Sequence, residues 1–379
     1  LRIKNDYVVQ LTIMPSSPPP PLPLDQILTG DCRQVLTALP EKSIDLVFAD
    51  PPYNLQLQQE LYRPNNTRVD AVNDSWDQFS GFSEYDDFTR SWVGACRRVM
   101  KDNASLWVIG TYHNIYRIGA ILQDLGFWIL NDVAWVKDNP MPNFRGVRFT
   151  NAHETLIWAV KNKTARYTFN YQSMKALNEG LQMRSDWHLP ICSGLERVRV
   201  NGHKVHSTQK PEALLYRVLL ASSHPGDVVL DPFFGTGTTG AVARLLGRHW
   251  IGIEQEEKYI AVAAQRIAQV QPAPPEALEL PRRVRRKREA RLRFAALVEA
   301  GLLRPGQTLY FKGNRAQPAL ILANGHVRAG DFTGSIHQTA LHLSGAPTNG
   351  WECWLVEDET GELISIDSIR QKQAHTPEA

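Results

Sequence analysis

The stretch Asp227-Val228-Val229-Leu230-Asp231-Pro232-Phe233-Phe234-Gly235-Thr236-Gly237-Thr238-Thr239-Gly240 admits few folds. Its β-branched start reads as a buried strand and its Gly-rich centre as a tight turn. The residues to about Leu246 read as a helix that Gly247 stops. A second strand pattern, His249-Trp250-Ile251-Gly252-Ile253, follows at once and ends in Glu254. Strand, turn, helix and strand in that order make a unit of a mostly parallel sheet, with a helix N-terminus open to a ligand. Gly235, Gly237 and Gly240 satisfy G-x-G-x-x-G, a weak pattern alone, and Glu254 stands where ribose hydroxyls are bonded. A nucleoside-containing cofactor follows, and both NAD and S-adenosylmethionine meet the pattern. Asp231-Pro232-Phe233 sets a carboxylate and an aromatic ring beside the turn, and Thr238 opens the helix. These suit an ammonium and a sulfonium better than a pyrophosphate.

Far upstream, Asp50-Pro51-Pro52-Tyr53 closes the apolar run Ile44-Asp45-Leu46-Val47-Phe48-Ala49. Such a tetrapeptide can simply be a proline turn ending a strand, with a tyrosine in the core. It also fits one demanding chemistry. An exocyclic amine on a flat ring is a poor nucleophile because its lone pair is delocalised. A carboxylate and a carbonyl accepting its two N–H bonds draw that lone pair out of conjugation. Proline fixes φ and donates nothing, so Pro51 and Pro52 can aim Asp50 and a main-chain carbonyl at one point. Tyr53 offers a face on which the ring stacks. With this segment present, S-adenosylmethionine is the better-fitting cofactor.

Together these residues resemble the amino-group DNA methyltransferases, in the group where DPPY precedes F-x-G-x-G; here position 50 precedes position 233. Thr208-Gln209-Lys210-Pro211 stands just before the glycine turn, as in that group. The resemblance extends to the cell-cycle-regulated adenine methyltransferases of alphaproteobacteria, which act on GANTC. It is carried by Ala49 to Leu57, Asp74 to Phe79, Asn139-Pro140-Met141-Pro142-Asn143-Phe144 and Asn151-Ala152-His153-Glu154-Thr155. Gln182 to Trp187 and Gly334-Ser335-Ile336-His337 add to it, so that it runs from about residue 25 almost to the C-terminus. Ser207 departs from the proline usual in the family. The resemblance implies an α/β, Rossmann-like S-adenosylmethionine-dependent methyltransferase fold with a small C-terminal α+β module. It also implies transfer to the N6 amine of a flipped-out adenine, with double-stranded DNA as partner, in the bacterial cytoplasm at the nucleoid. By resemblance, Asp31 bonds the cofactor's adenine, Lys210 lies near its carboxylate, and Asp rather than Ser at position 50 favours adenine over cytosine. The alternatives are an N4-cytosine enzyme, a methyltransferase acting on protein or RNA amines, a catalytically inactive DNA-binding protein and a nicotinamide oxidoreductase.

Composition bounds these expectations without producing them. The 379 residues carry a net charge of only +3, so no global basic field advertises nucleic acid. Cys32, Cys96, Cys192 and Cys353 form no C-x-x-C, and no H-E-x-x-H occurs, so no metal is expected. No apolar run approaches the about 20 residues of a membrane span. Residues 1–24 read as a Pro-rich, disordered lead-in rather than a signal peptide, and Met14 is a candidate start.

The catalytic domain is expected over 25–270, with strands at Leu106–Ile109, Trp128–Trp135 and Leu156–Val160. A helix starting at Pro211 should pack through Leu214, Leu215, Val218 and Leu219. A basic linker (271–293) holds Arg282, Arg283, Arg285, Arg286, Lys287, Arg288, Arg291 and Arg293, which suit either solvent or phosphate. Residues 294–379 form the module, and a chain cut near 271 should keep a folded catalytic domain. Two loops are candidates for DNA contact: the long polar stretch from Tyr53 to Phe82, with Arg68 and Trp76, and the segment holding Asn143, Arg145 and Arg148. A homodimer is compatible with the sequence and not required by it.

Overall fold

A computed structural model describes residues 21–54, 78–143, 146–206, 208–278 and 293–374. The strands of its larger sheet are β1 (Gln26–Thr29), β2 (Ile44–Ala49), β3 (Met100–Gly110), β4 (Trp128–Lys137), β5 (His153–Val160) and β6 (Asp186–Leu189). A small hairpin of β7 (Arg199–Val200) and β8 (His203–Lys204) precedes the last two, β9 (Val228–Asp231) and β10 (His249–Glu254). Its helices are α1 (Cys32–Ala38), α2 (Phe82–Val99), α3 (Ile115–Asp124), α4 (Tyr171–Leu177), α5 (Glu212–Ser222), α6 (Thr238–Leu245) and α7 (Glu257–Gln269).

Among the described residues the sheet order is β1-β10-β9-β2-β3-β5-β4-β6. Every neighbouring pair is parallel except the two that involve β5 with β3 and β4. Side chains alternate across this sheet as strand geometry requires. On β2, Leu46 and Phe48 enter one core while Val47 and Ala49 enter the other; on β3, Trp107 and Ile109 oppose Leu106 and Val108. The second face is covered by α1, α2 and α3, which bury Leu36, Trp92, Val93 and Ile118. Both faces are closed, which is why the strands read as apolar runs.

The decisive topological fact is that β2 lies directly beside β9, with Leu46 opposite Val229 and Val47 opposite Leu230. Both strands run the same way, so Asp50-Pro51-Pro52-Tyr53 and the glycine turn leave the sheet side by side. The carboxyl edge of a parallel sheet is where α/β folds bind ligands.

The smaller module contains α8 (Phe294–Glu299), β11 (Thr308–Phe311), β12 (Pro318–Ile321), β13 (Val327–Ala329), β14 (Phe332–Gly334), α9 (Ile336–Ser344) and α10 (Gly350–Cys353). It ends with β15 (Trp354–Glu357), β16 (Leu363–Ser365) and α11 (Ile366–Ala374). Its sheet, β14-β13-β12-β11-β15-β16, is antiparallel throughout. The Asn324-Gly325 turn joins β12 to β13, with Gly325 at φ 76°, a conformation that costs glycine little.

The expectations change at the edges of the catalytic domain. Leu214, Leu215, Val218 and Leu219 are buried as expected, and Ala213, Tyr216, Leu220 and Ala221 are enclosed as well. The module supplies the second wall: Arg217 pairs with Glu299 at 2.6 Å, and the Tyr216 hydroxyl donates to the Ala323 carbonyl. The module thus shares α5 with the catalytic domain. The linker is not uniformly loose, since Ala273, Ala277 and Leu278 are buried and the Ala273 amide donates to the Leu245 carbonyl at 2.9 Å. Residues 21–24 belong to the fold, Leu22 and Leu24 packing against the α1–α3 core. Arg282 to Arg291 lie outside the described residues; Arg293 donates to Asn178.

Candidate active site

The cleft above β2 and β9 holds about 490 Å³, within the range of small-molecule sites. At one end the β9–α6 turn satisfies its own polar groups. Asp231, 3% exposed, accepts from the Phe233 amide at 2.9 Å and the Thr239 hydroxyl at 2.5 Å. Burial pushes its carboxyl up to about 7. Glu254 accepts from the amides of Gly235, Gln255 and Glu256 at 2.8, 2.8 and 2.9 Å, which fixes β10's end against the turn. Phe233 stands edge-on to Trp92, ring centres 5.3 Å apart. Asp31 caps α1 through the Arg33 amide at 2.8 Å and pairs with the Arg33 side chain, which lowers its pKa. Asp31, Asp231, Phe233, Gly235, Thr238 and Glu254 all line the cleft.

Two expected roles change on inspection. Gly237 has φ 75° at the start of α6, and a Cβ there would come 2.8 Å from the Ala263 Cβ. Its need is for packing against α7, whereas a Cβ on Gly235 would face the cleft with His206 nearest, at 3.7 Å. Lys210 lines the cleft, yet its ammonium turns to Asp50 Oδ2 at 2.6 Å rather than to the turn. Thr238 receives Arg266 at 2.9 Å.

At the other end the groups come from several strands. The Tyr53 hydroxyl donates to Glu154 Oε2 at 2.9 Å, and Lys137 pairs with Glu154 Oε1 at 2.9 Å. Lys210 Nζ lies 5.1 Å from the centre of the Tyr53 ring. The turn itself is anchored through Pro52, whose carbonyl accepts from Tyr85 at 2.9 Å and from Asn114 at 3.4 Å. Those bonds go to the Pro52 carbonyl and not to that of Pro51. Asp50 Oδ1 is sealed from solvent and has no hydrogen-bond partner among the described residues. Burial raises the Asp50 carboxyl, and Lys210 pulls it back.

Sequence reading missed Glu154, Lys137, Tyr85, Asn114 and His206. Glu154 sat inside a segment quoted for its resemblance, with nothing to mark its side chain as part of the site. The imidazole of His206 packs on Tyr259 at 4.7 Å, and burial lowers it to about 4. Of the DNA-contact candidates, Arg68, Trp76 and Arg145 fall outside the described residues. Asn143 and Arg148 lie between β4 and β5, on the same sheet edge as the cleft, because β4 runs parallel to β2. Arg148 donates to the Tyr112 hydroxyl at 2.6 Å. Among the described residues no group of His, Cys, Asp and Glu could hold a metal, and no helix is long and apolar enough to cross a membrane.

The profile of the DNA methylase family matches residues 44–265, and that of the Restriction Enzyme Adenine Methylase Associated domain matches 274–376. Type II methyltransferase M.HinfI of Haemophilus influenzae is 48% identical over 349 residues, 92% of this chain and 96% of that protein. Type II methyltransferase M2.DpnII of Streptococcus pneumoniae is 41% identical over 242 residues, 64% of this chain and 88% of that protein. The solved PvuII DNA methyltransferase (cytosine-N4-specific) superposes with a TM-score of 0.52 at 23% identity, over 64% of this chain and 85% of its own, a likeness of fold. Sheet, glycine turn and cleft thus define a Rossmann-like methyltransferase whose methyl donor is S-adenosylmethionine. Within that class the chain belongs to the DNA methylase family.

Proposed function

We propose that this DNA methyltransferase transfers a methyl group to the N6 amine of an adenine flipped out of the duplex, in GANTC. The observation that carries the reading is Asp50 Oδ1, a sealed acceptor with no partner among the described residues, in the turn that also carries Tyr53. A flat base stacked on Tyr53 brings its amine to that oxygen, and the Pro51 carbonyl takes the second N–H. The lone pair so freed would take the methyl from the donor's sulfonium, and sulfur would keep the S–C electron pair. The proton then lost from nitrogen leaves to water. Asp50 stabilises the positive charge that develops on nitrogen.

S-adenosylmethionine, when bound, supplies the electrophilic methyl. Asp231 and Phe233 suit its ammonium and sulfonium, Glu254 its ribose, Asp31 its adenine, with Gly235 and Thr238 at the turn. Base flipping costs a few kcal/mol of unstacking. Asn143 and Arg148 would contact DNA on that edge, and Arg68, Trp76 and Arg145 remain candidates from the sequence alone. Adenine over cytosine, GANTC and a place among the alphaproteobacterial enzymes rest on the sequence resemblance, as does a cytoplasmic, nucleoid-associated location. Modification-sensitive sequencing of plasmid from a host expressing this chain tests the site. Methylated adenine confined to GANTC is expected; methylation in another context removes the site assignment, and modified cytosine removes the base assignment.

A further inference from the structure

The target end of the cleft contains four charges in one connected group. Asp50 and Glu154 are the carboxylates, Lys137 and Lys210 the ammoniums, and the side chains of all four are at most 18% exposed. Lys210 bonds Asp50 Oδ2 at 2.6 Å, yet Glu154 Oε2 is only 3.9 Å away. The ammonium also stands over the Tyr53 ring, 5.1 Å from its centre. A cationic N–H donor held to Asp50 above Tyr53 reproduces what the proposed substrate presents, an amine bearing N–H bonds on a ring stacked there.

We propose that Lys210 and Glu154 are a pair of positioning residues. In the free enzyme the Lys210 ammonium occupies Oδ2 of Asp50, beside the Oδ1 that the target amine takes, and as the base enters it withdraws onto Glu154. The inference rests on the amine-methylation reading above. Withdrawal keeps the cluster's charges matched, so a neutral base enters without stranding a buried ion, which would be costly. The length of a lysine side chain allows the shift without backbone movement. Glu154 is fixed to receive it, because Lys137 and the Tyr53 hydroxyl already orient its two oxygens. The other ionisable groups acting on this cluster are Tyr53, which burial and the two carboxylates keep protonated, Asp231, which supports the Lys210 charge, and His206, which burial and Lys210 keep neutral. Burial works against each of the three main charges; the partners outweigh it at Lys210, held above its usual range, and at Glu154, held below, while Asp50 stays raised.

The pair makes a signed prediction in full-length protein. Removing the cation in Lys210→Met leaves Asp50 with burial and the like charge of Glu154, so its pKa rises. The acid limb of the single-turnover pH–rate profile then moves up by about 1–3 pH units. Glu154→Gln removes the like charge, so the limb moves down, while Lys210 loses its retreat and stays on Asp50. Base entry, followed by the fluorescence of 2-aminopurine at the target position, then weakens severalfold. Lys210→Arg restores the limb toward wild type, and Lys210→Gln replaces the methionine variant should that one fail to fold. Limbs that stay in place, or move in the same direction, overturn the pairing. A wild-type enzyme that leaves adenine unmethylated defeats the amine reading first, and the pairing with it.

Discussion

At the cofactor end of the cleft, Asp231, Phe233, Gly235 and Glu254 lie on one strand–turn–helix–strand unit, and main-chain amides meet most of their acceptors. At the target end, Asp50 follows β2, Lys137 ends β4, Glu154 lies on β5 and Lys210 precedes α5, and side-chain charges meet one another. A locally built end can be rigid before any ligand arrives. An end assembled from distant strands depends on the whole sheet and on what presses α5 into place. Changes at the first should therefore read out as affinity, and changes at the second as rate.

The largest effect expected is from removing the module. Ending the chain at residue 271 removes Glu299, the partner of Arg217, and opens the apolar side of α5 to water. Apolar surface returned to water costs about 25 cal/mol per Å². The truncated chain should lose cooperative unfolding in urea and with it methyl transfer; a sharp transition near the wild-type midpoint would show that the target end stands without its clamp. Next in size, Asp50→Ala should reduce single-turnover transfer by about 10²–10³-fold while donor binding persists. A parallel loss of donor affinity would erase the distinction between the ends.

The glycine pair divides in the same way. Gly237→Val forces a Cβ against Ala263 at a left-handed φ of 75°, so urea unfolding should shift by about 2–4 kcal/mol. Gly235→Val carries a similar backbone strain at φ 52°, but its side chain faces the cleft, so it should add a loss of donor affinity that Gly237→Val does not show. Reversal of those two outcomes would mean that the turn's faces are misassigned.

These contrasts follow what the sequence made legible. The cofactor end lay in one contiguous segment, so strand, turn, helix stop at Gly247 and the carboxylate of Glu254 could be placed in advance. Asp50 and Tyr53 could be placed because prolines hold them locally. Glu154 and Lys137 could not, because only the β4–β5 register brings Val136 opposite His153 and sets the two neighbouring side chains together. Burial of α5 on all sides was hidden for a similar reason: the chain that covers it follows a basic segment that reads as a linker. Gly237 was identified as special for the wrong neighbour, since sequence spacing cannot separate a ligand from helix α7.

The smallest effect expected is a pH dependence. Burial pushes Asp231 up to about 7 from an ordinary 3.8. Between those values the folded chain holds a proton that the unfolded chain has released, so this group's contribution to stability falls as pH rises through the window. An ammonium ligand prefers the carboxylate, so donor affinity should rise from about pH 6 to 8, and Asp231→Asn should flatten that rise. Calorimetry across the range checks it; an unchanged slope in the variant would place the ammonium elsewhere.

The most direct measurement is nucleoside mass spectrometry of duplex DNA incubated with the protein and methyl-labelled S-adenosylmethionine, with Asp50→Ala alongside. Label in N6-methyladenine with wild type, reduced by at least about 10²-fold in the variant, is the predicted result. Label in N4-methylcytosine, or equal N6-methyladenine from both proteins, would contradict the assignment of Asp50 as the acceptor for an adenine amine.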